Sequence, residues 1–109
     1  MTSATATEID QPAREDIDLG EVLHALSDPT RLQIVAALDS RPDACPTGSF
    51  DVPVSKSTCT HHFRVLREAG VVRQRSEGTA RLNTLRREDL DARFPGLLDA
   101  ILAGTGESS

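Results

Sequence analysis

At 109 residues, with 38% hydrophobic content and three Phe as its only aromatics, the chain has room for one domain with a modest core. It holds no run of 18 apolar residues, which argues against a membrane-spanning helix, and its polar, acidic start is unlike a secretion signal, so a cytoplasmic location is expected. A formal net charge of −5 argues at first sight against a nucleic-acid partner.

The distribution of charge says otherwise. Residues 1–28 carry seven acids and one base, and residues 88–109 carry five acids and one base. Between them, residues 55–87 hold eight bases (Lys56, Arg64, Arg67, Arg73, Arg75, Arg81, Arg86, Arg87) against Glu68 and Glu77, a net charge of +6. A basic block between acidic ends is the footprint expected of polyanion binding.

Residues 1–15 lack apolar periodicity and read as a disordered tail; the ordered domain is expected over 16–103, with a flexible tail at 104–109. From Asp16, Leu19, Val22, Leu23 and Leu26 fall at helical spacing on one face. Asp28 then suits an N-cap, and Pro29 suits the first helical position, where its missing N–H costs nothing. The helix it opens runs through "TRLQIVAALDS", with Leu32, Val35 and Leu38 as its inner stripe. Residues 39–54 hold three prolines and a glycine and read as loop, with a short helical turn around Ser49 to Val52. Ser55 can cap a helix that stops at Gly70. Two extended runs flank Glu77-Gly78, which predicts a β-hairpin. The last element starts near Glu88 and is punctuated by Pro95; Phe94, Leu97, Leu98, Ile101 and Leu102 form an apolar stripe that needs a partner surface.

The stretch "TCTHHFRVLREAG" (58–70) carries the chemistry. On a helix, Cys59, Phe63 and Leu66 share the core side, with His62 beside them. Ser57, Thr60, His61 and Arg64 fall on another side, with Lys56 in the first turn. All four can hydrogen-bond and none is acidic, as a helix in a DNA major groove requires. Two alternatives use the same residues. Cys59 and His62 are three apart and can share a metal, but two donors do not close a zinc site, and no CxxC or HxxxH follows. A Cys–His nucleophile needs an orienting third group and a pocket, and neither is signalled, so no enzyme activity is expected. Two cysteines make no disulfide framework; a redox role for Cys45 and Cys59 lacks an activating environment.

"LHALSDPTRLQIVAAL" followed by "STCTHHFRVLREAGVV" and a glycine-turn hairpin resembles the ArsR/SmtB transcriptional repressors over about residues 17–103. The family's Asp-Pro-x-Arg signature is matched by Asp28, Pro29 and Arg31. Its recognition-helix run is matched by Thr58, Thr60, His61, His62, Phe63, Leu66, Ala69, Gly70 and Val71, with Thr for Ser, Phe for Leu and Val for Leu. The resemblance implies an α+β fold, mainly helical with a small β-hairpin. This is a winged helix-turn-helix that dimerises through its first and last helices. It implies DNA contacts from Lys56, Ser57, Thr60 and His61; Arg64 joins them from the helix wheel. It implies a wing at Arg73 to Leu82, with Arg75 and Arg81 near phosphates, and a palindromic operator. Three features depart from the family. The segment before the recognition helix is proline-rich. Only Cys45 stands where metal sensors carry Cys-x-Cys, and the last helix has Asp89, Asp91 and Asp99 but no His. Wing positions 79 and 80 are Thr79 and Ala80.

The expectation is a homodimeric, sequence-specific DNA-binding regulator of repressor type. Its effector is open: Ni, Zn or Co on a set drawn from His24, Cys45, His62 and the terminal-helix carboxylates is one candidate, and an effector-sensing partner protein another. The rival is a winged helix used as a protein-interaction or metal-carrier module without specific DNA binding.

Overall fold

A computed structural model describes residues 11–41, 45–47 and 54–105. Three of its helices begin at side-chain caps. Asp18 accepts a hydrogen bond from the backbone N–H of Glu21 and starts α1 (Leu19–Ala25). The Asp28 carboxylate accepts from Thr30 and Arg31 at 2.9 and 3.1 Å and starts α2 (Pro29–Asp39), with Pro29 in the first turn. Ser55 accepts from Thr58 and starts α3 (Lys56–Ala69). Each cap satisfies N–H groups that have no partner inside the helix, a contribution of about 1 kcal/mol apiece.

Strand β1 (Cys45–Pro46) lies between α2 and α3 in sequence; β2 (Val72–Glu77), β3 (Ala80–Leu85), α4 (Arg87–Arg93) and α5 (Leu97–Ala103) follow α3. The described residues thus hold five α-helices and a three-stranded antiparallel sheet in the order β1-β3-β2. This is the α+β winged helix-turn-helix expected from the sequence. The hairpin pairs Glu77 with Ala80, so its two-residue loop is Gly78-Thr79, one position beyond the expected turn. Gly78 takes a φ of +63°, which the first loop position of a type II′ turn reserves for glycine.

Helices α1 and α2 pack on α3, and α3 on the hairpin. Phe63 and Leu66 of α3 are fully buried among Ile17, Val22, Ile34, Val35, Val71 and Val72. Gly70 ends α3 with a φ of +88°, and a Cβ there would sit 2.7 Å from Ile17 Cγ1. Glycine is required twice over at this point: by the left-handed backbone and by the close approach of Ile17.

Several expectations need correction. The apolar face read on the first helix splits: Val22 and Leu26 are buried, but Leu19 and Leu23 are 43% and 46% exposed. A seven-residue helix offers the core a strip of about two turns, and Ala25 takes the place between Val22 and Leu26. On α2, Ile34 joins Val35 and Leu38 inside, while Leu32 is only partly buried. Residues 11–15, read as part of a disordered tail, are held by contacts. Arg14–Asp16 forms a 3-10 turn, the Pro12 carbonyl accepts from Arg86, and the Gln11 side-chain amide exchanges two hydrogen bonds (2.7 and 2.9 Å) with the backbone of Gln74. Gln11 thereby occupies part of the open edge of β2. The last element is two short helices, broken at Pro95-Gly96 with Gly96 at a φ of +83°. Of its apolar stripe only Leu98 is buried; Phe94, Leu97, Ile101 and Leu102 are partly buried against the same core. The helical turn expected around Ser49 to Val52 falls outside the described residues.

Candidate nucleic-acid interface

Helix α3 sorts its side chains as the wheel requires. Cys59, His62, Phe63, Leu66 and Ala69 are buried, while Lys56, Ser57, Thr60, His61 and Arg64 are exposed. The apolar set chooses which face of the helix turns inward, because burying Thr60 or Arg64 instead would expose Phe63. Its first turn holds no acid, and its N-terminal amides carry the partial positive charge that attracts anions.

The hairpin stands beside the same end of α3. A cleft of about 620 Å³ separates them, lined among others by Pro46, Val54, Lys56, Thr60, Thr79 and Arg81. No acidic side chain is among the described residues that line it. Arg75 and Arg81 are both exposed on the hairpin, and the Arg75 guanidinium lies 3.8 Å from Glu77. Lys56, Thr60 and Arg81 therefore share one rim, with Ser57, His61 and Arg64 on the exposed face of the helix.

Beneath the wing lies a polar cluster that the sequence does not announce. Gln74 and Asn83 face each other across β2 and β3, 2% and 0% exposed. The Gln74 amide donates to Asn83 Oδ1 at 2.7 Å, and Asn83 Nδ2 donates to the Cys45 carbonyl at 3.0 Å and to Thr47 Oγ1 at 2.9 Å. Arg67 of α3 donates to Gln74 Oε1 at 3.0 Å. Buried polar groups are stable only when paired, and paired ones fix geometry. This network ties the wing, β1 and the end of α3 together. The one buried residue of β3 is Asn83, so apolar alternation does not mark the inner face of that strand.

The basic block divides in two. Arg86 is 6% exposed and donates to Asp89 at 2.8 Å and to the Pro12 carbonyl at 2.7 Å. Arg87 donates to Asp39 at 2.8 Å and to Asp99 at 2.9 Å, joining α2, α4 and α5, and these hydrogen bonds to the two carboxylates raise its pKa further. Arg73 lies 3.7 Å from Asp89, and Arg67 3.6 Å from Glu68. Among the described residues, Lys56, Arg64 and Arg81 have no acidic partner within 4 Å; they and Arg75 form the outward set.

The metal and redox candidates are not brought together. His24 is exposed on α1, Cys45 is buried on β1, and His62 is buried with Nδ1 held 3.1 Å from an Arg31 nitrogen. Among the described residues, no three His, Cys, Asp or Glu side chains converge as a metal site needs. Burial pushes the Cys59 thiol pKa up, the reverse of an activated nucleophile, and no disulfide joins it to Cys45. No helix among the described residues is long and apolar enough to cross a membrane.

Fold and surface together define a winged helix-turn-helix protein. A family described as a helix-turn-helix domain matches residues 26–75, from the end of α1 into β2. The chain is 29% identical over 83 residues to the HTH-type transcriptional regulator YceK of Bacillus subtilis, covering 74% of this chain and 83% of that one. It is 37% identical over 60 residues to the HTH-type transcriptional regulator MJ1325 of Methanocaldococcus jannaschii, covering 54% and 67%. It is 31% identical over 70 residues to a homologue of the cadmium resistance transcriptional regulatory protein CadC from Staphylococcus aureus, covering 63% and 58%. The chain belongs to the ArsR/SmtB-type helix-turn-helix family of DNA-binding transcriptional regulators.

Proposed function

We propose that this regulator acts as a cytoplasmic homodimer of repressor type, placing two copies of α3 in successive major grooves of a roughly palindromic operator. The observation that carries the reading is the sorting of α3: Ser57, Thr60, His61 and Arg64 are exposed, whereas Cys59, His62 and Phe63, interleaved with them, are buried. Arg64 can bind a guanine bidentately, and the hydroxyls and His61 can reach base edges or phosphates. Lys56, Arg75 and Arg81 supply phosphate contacts from the helix start and the wing. The exposed Leu19 and Leu23 of α1 support a twofold interface that includes this helix, because large apolar side chains on a small domain favour a cover. A twofold dimer reads half-sites about one helical turn apart. A metal-responsive form of the mechanism needs donors that the described residues do not gather, so induction is assigned to an effector or partner that shifts the dimer.

Fluorescence anisotropy with the DNA upstream of the protein's own coding region, in a salt series, tests this. The expected result is tighter binding to that DNA than to a scrambled duplex, with log K falling by about 0.9 per phosphate contacted for each unit of log salt. Equal affinity for both duplexes rejects specific regulation. Calorimetric titration with Ni, Zn and Co, expected to show no binding tighter than micromolar, tests the effector assignment.

A further inference from the structure

The buried face of α3 holds one charged partner that neither the core nor the DNA-facing surface accounts for. Arg31 of α2 is 8% exposed. Its Nε donates to the Ala25 carbonyl at 2.6 Å, and its Nη1 lies 3.1 Å from His62 Nδ1 on α3. Ala25 is the last residue of α1, so its carbonyl is one of those a helix leaves unpaired. One guanidinium thus joins the end of α1, the start of α2 and the middle of α3. Arginine has only donors, so His62 Nδ1 must accept, which places the imidazole hydrogen on Nε2. The Asp28 carboxylate holds the Arg31 backbone N–H at 3.1 Å, so the root of the side chain is fixed as well as its head.

We infer that Arg31 is a positioning residue for DNA reading: through His62 it sets the roll and axial position of α3. The inference rests on the reading of α3 as the DNA-contacting helix. Apolar burial of Phe63 and Leu66 is non-directional and chooses a face. A hydrogen bond between two rigid planar groups is directional and can hold a pose within that face. Base recognition needs such holding, because contacting side chains must sit within about 0.5 Å and 10–20° of their productive geometry. His62 is the immediate neighbour of His61 and lies two positions from Thr60 and Arg64, so a small roll at His62 moves all three. Attraction to phosphates by Lys56, Arg75 and Arg81 tolerates that roll. Loss of the tie therefore lowers discrimination between sequences and leaves general DNA affinity in place.

The test compares wild type with His62→Asn, whose Oδ1 stands near the place of Nδ1 and can accept from Arg31, with His62→Leu, and with the double variant Arg31→Met/His62→Leu. The double variant removes both polar partners together and leaves no buried charge unpaired. Anisotropy on operator and scrambled duplexes is read beside circular-dichroism melting. The expected result is a loss of about tenfold in the operator-to-scrambled ratio for the leucine variants, with scrambled binding unchanged and His62→Asn within about threefold of wild type. A folded double variant with the wild-type ratio overturns the inference; so does an equal loss on both duplexes, which marks a merely structural pair. If the leucine variants do not fold, imidazole 15N spectra of the wild-type protein decide: a hydrogen on Nε2 supports the tie and one on Nδ1 refutes it. A wild-type protein that does not discriminate the duplexes refutes the regulator reading instead, and the 15N spectra then judge the tie alone.

Discussion

Arg64 and Arg86 lie in the same basic block, yet they do different work. Arg64 is exposed on α3 and, among the described residues, meets no acid within 4 Å. Arg86 is 6% exposed and bound to Asp89 and the Pro12 carbonyl. Arg87 sides with Arg86, linking three helices through Asp39, Asp91 and Asp99. The block's charge is therefore not uniformly available to a polyanion. Its C-terminal end holds the domain together, and its helix-and-wing end is open to solvent. Each arginine's allegiance depends on whether the fold brings an aspartate to it.

The sharpest way to separate the two ends is to remove Asp89. Its carboxylate takes hydrogen bonds from Arg14 and Arg86 and is 13% exposed. Asp89→Ala strands the Arg86 guanidinium, and stability should fall by about 3 kcal/mol in urea unfolding. Operator-over-scrambled preference of the folded protein should be unchanged; a change in preference without a change in stability would break the division.

The same aspartate gives the domain an acid limit. Burial tends to raise its pKa, but the hydrogen bonds from Arg14 and Arg86 outweigh burial and hold it below the usual carboxylate value. Asp28 is likewise lowered: burial opposes, and the bond from the Arg31 backbone N–H and the Arg31 charge prevail. A depressed folded value means stability is fully present above the unfolded value and is lost as pH falls through the folded one. Melting temperature should therefore hold from pH 7 to about 5 and drop below about pH 4, less steeply in Asp89→Asn. An acid slope that Asp89→Asn leaves unchanged would remove Asp89 from the explanation.

At the open end the order reverses, with binding moved and stability not. Arg64→Ala should cost about 1–3 kcal/mol on the operator if it reads a base, with an unchanged melting temperature. Equal loss on scrambled DNA would reassign it to a phosphate. Arg81→Ala should reduce the magnitude of the salt slope by about 0.9 and weaken both duplexes alike. Arg75→Ala should have the smallest effect, because Glu77 already lies 3.8 Å away.

Local signals were legible in the sequence. Asp28-Pro29, Ser55, Gly70 and the glycine of the hairpin each act within a few residues of themselves, and each stands where its chemistry put it. The outward stripe of α3 was legible because a 14-residue helix gives its period room to show. Other features depend on distant partners and left no local mark. Arg31 reads as a surface charge until His62, 31 residues away, is placed beside it. Gln74 and Asn83 look like strand polarity on the solvent side. The pairing of β1 depends on β3, nearly forty residues on. Leu19 and Leu23 misled because spacing alone does not say how much of a short helix the core can cover.

If the basic block divides in this way, the open face of α3 and the wing tip should meet DNA while α4 and α5 should not. Titration of 15N-labelled protein with its upstream DNA, followed by backbone amide shifts, decides between these two faces. The largest shifts are expected at Lys56 to Arg64 and at Gly78 to Arg81, with the α4 amides from Glu88 to Arg93 nearly still. Shifts concentrated in α4 and α5, with α3 quiet, would contradict it.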